Sequence, residues 1–212
     1  MIVRSFFFYL FMNECDCNKA KKLRPFDSCI FCAHKHAASA LALSNFLTES
    51  NTLLKFRIIS QLNLSKWHLN KDLNNIINLY DKIILNIFND NEFKNDLTLL
   101  VETLWDLRNN KKLNISFNNY NIIVNEEKGL LNGLIHISNA LELIKYEYSY
   151  EDINLSYAIG QLNLAVWCFQ DINNEFAEDS RKLYKCIETN EININKFEYL
   201  IIKIFKFIKL NK

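Results

Sequence analysis

Cys15-Asp16-Cys17 and Cys29-Ile30-Phe31-Cys32 place four thiols within eighteen residues, with His34 and His36 just beyond. Thiolate sulfur is a soft ligand, and four such groups arranged tetrahedrally hold a structural zinc ion. The pair Cys29 and Cys32 falls at the start of a helical pattern, where the helix dipole favours thiolate. Between the two pairs lies the chain's one proline, Pro25, in a loop that would close around a metal without a core of its own. Cys15, Cys17, Cys29 and Cys32 are therefore the candidate zinc ligands. Two alternatives stay open. The thiols could be ordinary small residues, because C-x-C is tighter than the usual C-x-x-C knuckle. Redox chemistry is the other, although no βαβ pattern accompanies the C-x-x-C.

The elements that must position these residues are legible through a repeat. His36 to Leu69 overlays His136 to Phe169 without a gap, at an offset of 100 residues and with ten identities. Composition alone would give roughly two or three, so a tandem duplication is the simpler cause. The identities are His36/His136, Ala40/Ala140, Leu41/Leu141, Leu43/Leu143, Ile59/Ile159, Gln61/Gln161, Leu62/Leu162, Asn63/Asn163, Leu64/Leu164 and Trp67/Trp167. A residue kept in both copies serves the common scaffold, and one present in a single copy is the better candidate for a special task. By that rule His36 is a packing or hydrogen-bonding residue rather than a zinc ligand, since Asn132 stands where the first copy has Cys32. His34 is no better a ligand.

Three Gly and one Pro in 212 residues leave little material for the turns and bulges of sheets, and point to stacked helices. Half the residues are apolar, enough for a sizeable core. A net charge of +1 supplies no global field for nucleic acid or an anionic membrane. Helical periodicity places elements near 30–48, 52–70, 72–89 and 91–109, and again near 127–148, 151–171, 173–188 and 193–210. Thr52 and Asp152 would cap the second helix of each copy; Asp90, Asn91 and Asn190 would cap the helices that follow them. The stretch 111–126, rich in Asn and β-branched residues, reads as an extended linker with a short hairpin.

The organisation is thus all-α: an N-terminal apolar segment and Cys-rich loop over 1–28, helical repeat 1 over 29–110, the linker, and helical repeat 2 over 127–212. Met1 to Met12 carries an apolar run too short to span a bilayer, with no A-x-A-like cleavage site after it. It reads as an element packed on the bundle, as residues upstream of a true start at Met12, or as an anchor to a membrane or partner. Reduced cysteines in the cytoplasm are the default.

Within the helices, Ser60/Gly160 and Ser65/Ala165 are small residues that suggest close helix approach, with Trp67 and Trp167 filling space beside them. Gln61, Asn63 and their counterparts read first as exposed amides, with buried register-fixing pairs as the alternative. Glu102, Asp106, Glu142 and Glu178 occur singly and read as solvated surface. No phosphate loop, nucleophile elbow or H-E-x-x-H occurs, so nothing assembles an acid, a base and a nucleophile. Lysines flank the cysteine loop and line the last helix, where Lys196, Lys203, Lys206, Lys209 and Lys212 interleave with apolar residues. Phe207 and Ile202 there hint at a contact beyond the chain's own core.

Cys29, Cys32, Lys35 and His36 followed by Ala40, Leu41 and Leu43, and the run Ile159 to Ala165 (IGQLNLA), resemble small helical proteins of tailed bacteriophages, including crAss-like phages of gut bacteria. The likeness covers under half of the chain; the first copy has the cysteines and the second the glycine. It implies a virion component of the neck or connector and transfers no catalytic residue. The reading that results is a non-enzymatic structural or interaction protein, with protein partners or a homo-oligomer and no specific nucleic acid. The alternative is a ligand- or nucleotide-handling enzyme or regulator using a cleft between the repeats, with His36, His136, Trp67 and Trp167 as its pocket residues.

Overall fold

The computed structural model of the chain describes residues 29–48, 50–69, 73–109, 129–147 and 152–211. Every regular element among them is a helix. In the first copy α1 spans Ile30–Ser44, α2 Thr52–Trp67, α3 Asn74–Phe88 and α4 Lys94–Arg108. In the second, α5 spans Leu130–Glu142 and runs on as a π-helical turn over Leu143–Glu147. It is followed by α6 (Asp152–Phe169), α7 (Asn174–Glu188) and α8 (Ile194–Leu210). The starts 30 and 130, 52 and 152, 74 and 174, and 94 and 194 all keep the 100-residue offset. The duplication therefore extends to the third and fourth helices, where side-chain identity has faded. Cys15, Cys17, the apolar N-terminal segment and the expected linker 111–126 lie outside the described residues. No described helix is long and apolar enough to cross a membrane.

Turn chemistry is duplicated as well. Asp90 (φ 63°) and Asn190 (φ 56°) adopt the left-handed conformation that short polar residues tolerate. Asn91 N–H donates to the Asn86 carbonyl (2.9 Å) and Glu191 N–H to that of Cys186 (2.8 Å). Asp90 and Asn190 themselves donate to Ile87 and Ile187. This paired arrangement satisfies the last carbonyls of α3 and α7. Asp90 and Asn190 thus close the preceding helix, whereas their side-chain type alone had assigned them to capping the next one. N-terminal caps come from other residues: Asn51 rather than Thr52 accepts from Leu54 N–H (3.0 Å), Asn173 from Phe176 N–H (3.1 Å) and Asn193 from Asn195 N–H (3.1 Å).

Two compact units form, one from residues within 29–46 and 61–109 and the other from residues within 47–60 and 129–211. The compact units and the sequence copies part company at 47–60, which belong by sequence to the first copy and pack with the second. In the first unit α1 and α3 both pack on α4. Its core is built on Ala33, Ala37, Ala40, Leu62, Ile76, Ile83, Leu97, Leu100 and Leu104, all buried. In the second, α5, α6, α7 and α8 close a ring of contacts around Leu134, Ile137, Leu162, Phe169, Phe176, Phe197 and Ile204. The Phe176 ring meets Phe169 (5.7 Å) and Phe207 (5.2 Å) edge-on.

The copies have diverged in matched sets. Ser65 meets the Ala33 carbonyl and the Tyr80 hydroxyl in the first unit; in the second, Ala165 and Ser180 occupy those positions, so the donor and its partner have gone together. The second set is one of volume. A Cβ at Gly133 would overlap the buried Phe169 ring, whereas the first copy has Ala33 and Leu69 at these places. The larger ring therefore requires the missing methyl. Gly160, by contrast, faces open space, and Trp167 is exposed, so the close approach expected there occurs at Gly133 instead. Gly133→Ala is expected to destabilise the protein by about 1–3 kcal/mol through overpacking. Chemical denaturation should show Phe169→Leu recovering part of that loss in the double variant, and strictly additive losses would contradict the volume match.

Candidate functional site

The N-terminal end of α1 carries the half of the cysteine set that falls within the described residues. Cys29 stands at the N-cap in extended conformation (φ −149°, ψ 101°), with its N–H donated to the His68 carbonyl (2.8 Å). Cys32 follows in the first turn, and both thiols are half-buried. An N-cap and a first-turn thiol both feel the positive end of the helix, as thiolate ligands require. His34 is drawn elsewhere: its ring sits 5.3 Å from Trp105, and burial, with the Arg108 charge adding to it, lowers its pKa from 6.5 to about 4. The Arg108 guanidinium itself lies 3.9 Å from the centre of the Phe31 ring. Among the described residues no three potential ligands come together to hold a metal; Cys15 and Cys17 lie outside that description.

The residues kept in both copies make the same bond twice. His36 Nδ1 lies 2.9 Å from Gln61 Oε1, and His136 Nδ1 lies 2.8 Å from Gln161 Oε1. Gln61 is 4% exposed and Gln161 8%, so these amides are the buried pairs rather than a solvated face. An oxygen only accepts, so Nδ1 carries the proton in each ring. In the second unit the same Gln161 oxygen also accepts from Asn139 Nδ2 (3.2 Å). In the first, the His36 ring stacks on that of His68, 5.5 Å away and nearly parallel. Asn163 is exposed, as the solvated reading expects, whereas Asn63 is half-buried with its Nδ2 shielded from solvent.

A different set, not duplicated at all, surrounds a cavity of about 260 Å³ in the second unit. Arg57 on α2, Glu142 at the end of α5, Lys145 on the π-turn and Glu198 on α8 stand around it, over a wall that includes Leu141 and Ile201. Arg57 Nε is 3.4 Å from Glu142 Oε1, and Lys145 Nζ is 2.5 Å from Glu198 Oε1. Glu142 is only 2% exposed, which corrects its assignment to the solvated surface. Its burial is legible in retrospect: it stands one helical turn from Ser138, whose hydroxyl lies 2.7 Å from that of Ser60 and donates to the Phe56 carbonyl at 3.0 Å. The first copy has Ala42 and Ala38 at these two positions. None of His36, His136, Trp67 and Trp167 lines this cavity.

Comparison with known proteins adds nothing to these residues, because no family model, no curated protein and no solved structure matches the chain.

Proposed function

We propose that this chain is a non-enzymatic interaction protein that engages an acidic, amphipathic helix of a partner through α8. The observation that carries this reading is the surface of α8. Phe197, Leu200, Ile201, Ile204 and Ile208 fill the core of the second unit, yet the helix also leaves Tyr199 (66%), Leu210 (85%) and Phe207 exposed. Lys196 and Lys206 lie exposed among them. Lys203 on the same helix is engaged by Glu175 (2.7 Å) and Asp179 (2.8 Å). Apolar side chains interspersed with lysines suit a helix with a leucine-rich face and acidic flanks. Two copies joined through this face would oppose like charges, which disfavours self-association here. Under the phage resemblance the partner would be another virion protein.

A structural zinc held by Cys15, Cys17, Cys29 and Cys32 belongs to the same reading. Its role would be to fix the N-terminal loop on α1, and the helix-end placement of Cys29 and Cys32 supports it. The helical units have cores of their own, so the metal would not be needed to fold them.

Two synthetic amphipathic helices sharing one leucine face, one with glutamates and one with lysines on the polar side, test the α8 reading. Fluorescence anisotropy should show the acidic peptide binding at least about tenfold tighter, with the difference lost in the Tyr199→Glu, Leu210→Glu variant. Equal binding of both peptides, preference for anionic vesicles, or self-association blocked by the same substitutions would contradict it. For the metal, elemental analysis of the purified chain should find about one zinc per chain, abolished by Cys29→Ser with Cys32→Ser and retained in His36→Ala. A metal-free chain with unchanged stability would remove zinc from the account.

A further inference from the structure

The cavity in the second unit is surrounded by charges that the scaffold does not explain. Its apolar wall is common property: Leu141 matches Leu41, and Ile201 matches Val101. The polar set is not. Arg57, Glu142, Lys145 and Glu198 face Tyr157, Ala42, Asn45 and Thr98 in the other register of the repeat. Three of these charges come from the second copy and Arg57 from the first, and none is matched by a charge at the corresponding position, so the common scaffold does not account for them.

Backbone geometry departs at the same place. The first copy ends its opening helix at Ser44, whereas α5 continues past the equivalent point as the π-turn Leu143–Glu147 that carries Lys145. Such turns recur at functional sites because they re-aim side chains at a cost in hydrogen-bond geometry. Here the turn presents the Lys145 ammonium beside Glu198, at the rim of the cavity. Across it, the Arg57–Glu142 contact at 3.4 Å is longer than the 2.7–2.9 Å of a tight charge-assisted bond, although Glu142 is buried.

We propose that this cavity binds a small zwitterion of the α-amino-acid type with a short apolar side chain. The carboxylate of the ligand is drawn to Arg57 and Lys145, its ammonium to Glu142 and Glu198, and its side chain to Leu141 and Ile201. Two cations and two anions sum to no net charge, so a lone anion or cation gains from one pair and is opposed by the other. A zwitterion satisfies both. The volume of about 260 Å³ lies just below the roughly 300–1,000 Å³ of pockets for drug-sized ligands, which sets the ligand as small. The site is independent of the α8 surface argued above, because it uses none of Tyr199, Phe207 and Leu210.

The test uses the full chain labelled for NMR and titrated with L-leucine, with L-leucinamide, which lacks the carboxylate, and with 4-methylpentanoate, which lacks the ammonium. L-Leucine should bind with a dissociation constant of about 1 mM or tighter, and each single-charge analogue at least about tenfold more weakly. Resonances of 51–57 and 138–145 should move. Lys145→Met, at a partly exposed position, should retain the wild-type helical spectrum and weaken L-leucine by about the factor that removing the ligand carboxylate does. Glu198→Gln should act in parallel on the ammonium side. The proposal is overturned if glycine, L-alanine and L-leucine all leave the spectrum unchanged, if the three leucine-based probes bind equally, or if well-folded Lys145→Met binds L-leucine as the wild type does.

Discussion

One hydrogen bond, made twice, buried in the first copy and part-buried in the second, sets the terms for the rest of the fold. An imidazole on the first helix of each copy meets a glutamine oxygen on the second, at 2.9 Å for His36 and Gln61 and 2.8 Å for His136 and Gln161. A buried amide left without its partner costs about 1–3 kcal/mol, so neither residue of a pair is replaceable alone. The bond also has a direction and a length, and leucines slide where it does not. It fixes which turn of the first helix faces which turn of the second, and the apolar positions around it, such as Ala40/Ala140 and Leu62/Leu162, are buried in both copies as a consequence.

Around that fixed point the two units have drifted in compensating steps. Volume is conserved where Gly133 and Phe169 stand for Ala33 and Leu69, and a hydroxyl and its partner are lost together where Ala165 and Ser180 stand for Ser65 and Tyr80. Burial pushes the Tyr80 hydroxyl well above its ordinary pKa, so it stays protonated at any working pH; its contact is with the Ser65 hydroxyl. The charges around the second-unit cavity are a different kind of change, since the matched positions Tyr157, Ala42, Asn45 and Thr98 carry no charge. Packing explains the first class of substitution and leaves the second to function.

Much of this is legible in the sequence alone. The helices are, because the 3.6-residue period is strong and the repeat states it twice; the observed starts fall close to the expected ones. The roles of single polar residues are not. Asp90 and Asn190 have the side chains of N-caps, and only the backbone turn reveals that they terminate α3 and α7. Gln61 and Gln161 read as solvated amides by type, although their recurrence in both copies was the clue to burial. The burial of Glu142 is hidden for the opposite reason. The side chain looks like any surface carboxylate on its helix, and comparison with Ala42 is the available signal. Trp167 shows the limit of that comparison: it is identical in both copies and yet exposed. The cysteine quartet is legible only as a pattern, with Cys29 and Cys32 placed at one helix end.

The claim that a duplicated histidine–glutamine bond anchors both units is tested most directly by double-mutant cycles, one per copy. His36→Phe keeps a ring against His68, and Gln61→Leu keeps volume; His136→Phe and Gln161→Leu form the second cycle. Unfolding free energies should show each single variant losing about 1–3 kcal/mol, and each double variant losing clearly less than the sum of its singles. That coupling should appear in both copies with similar size. Additive losses in either cycle would contradict the account, because the two residues would then contribute as independent packing groups.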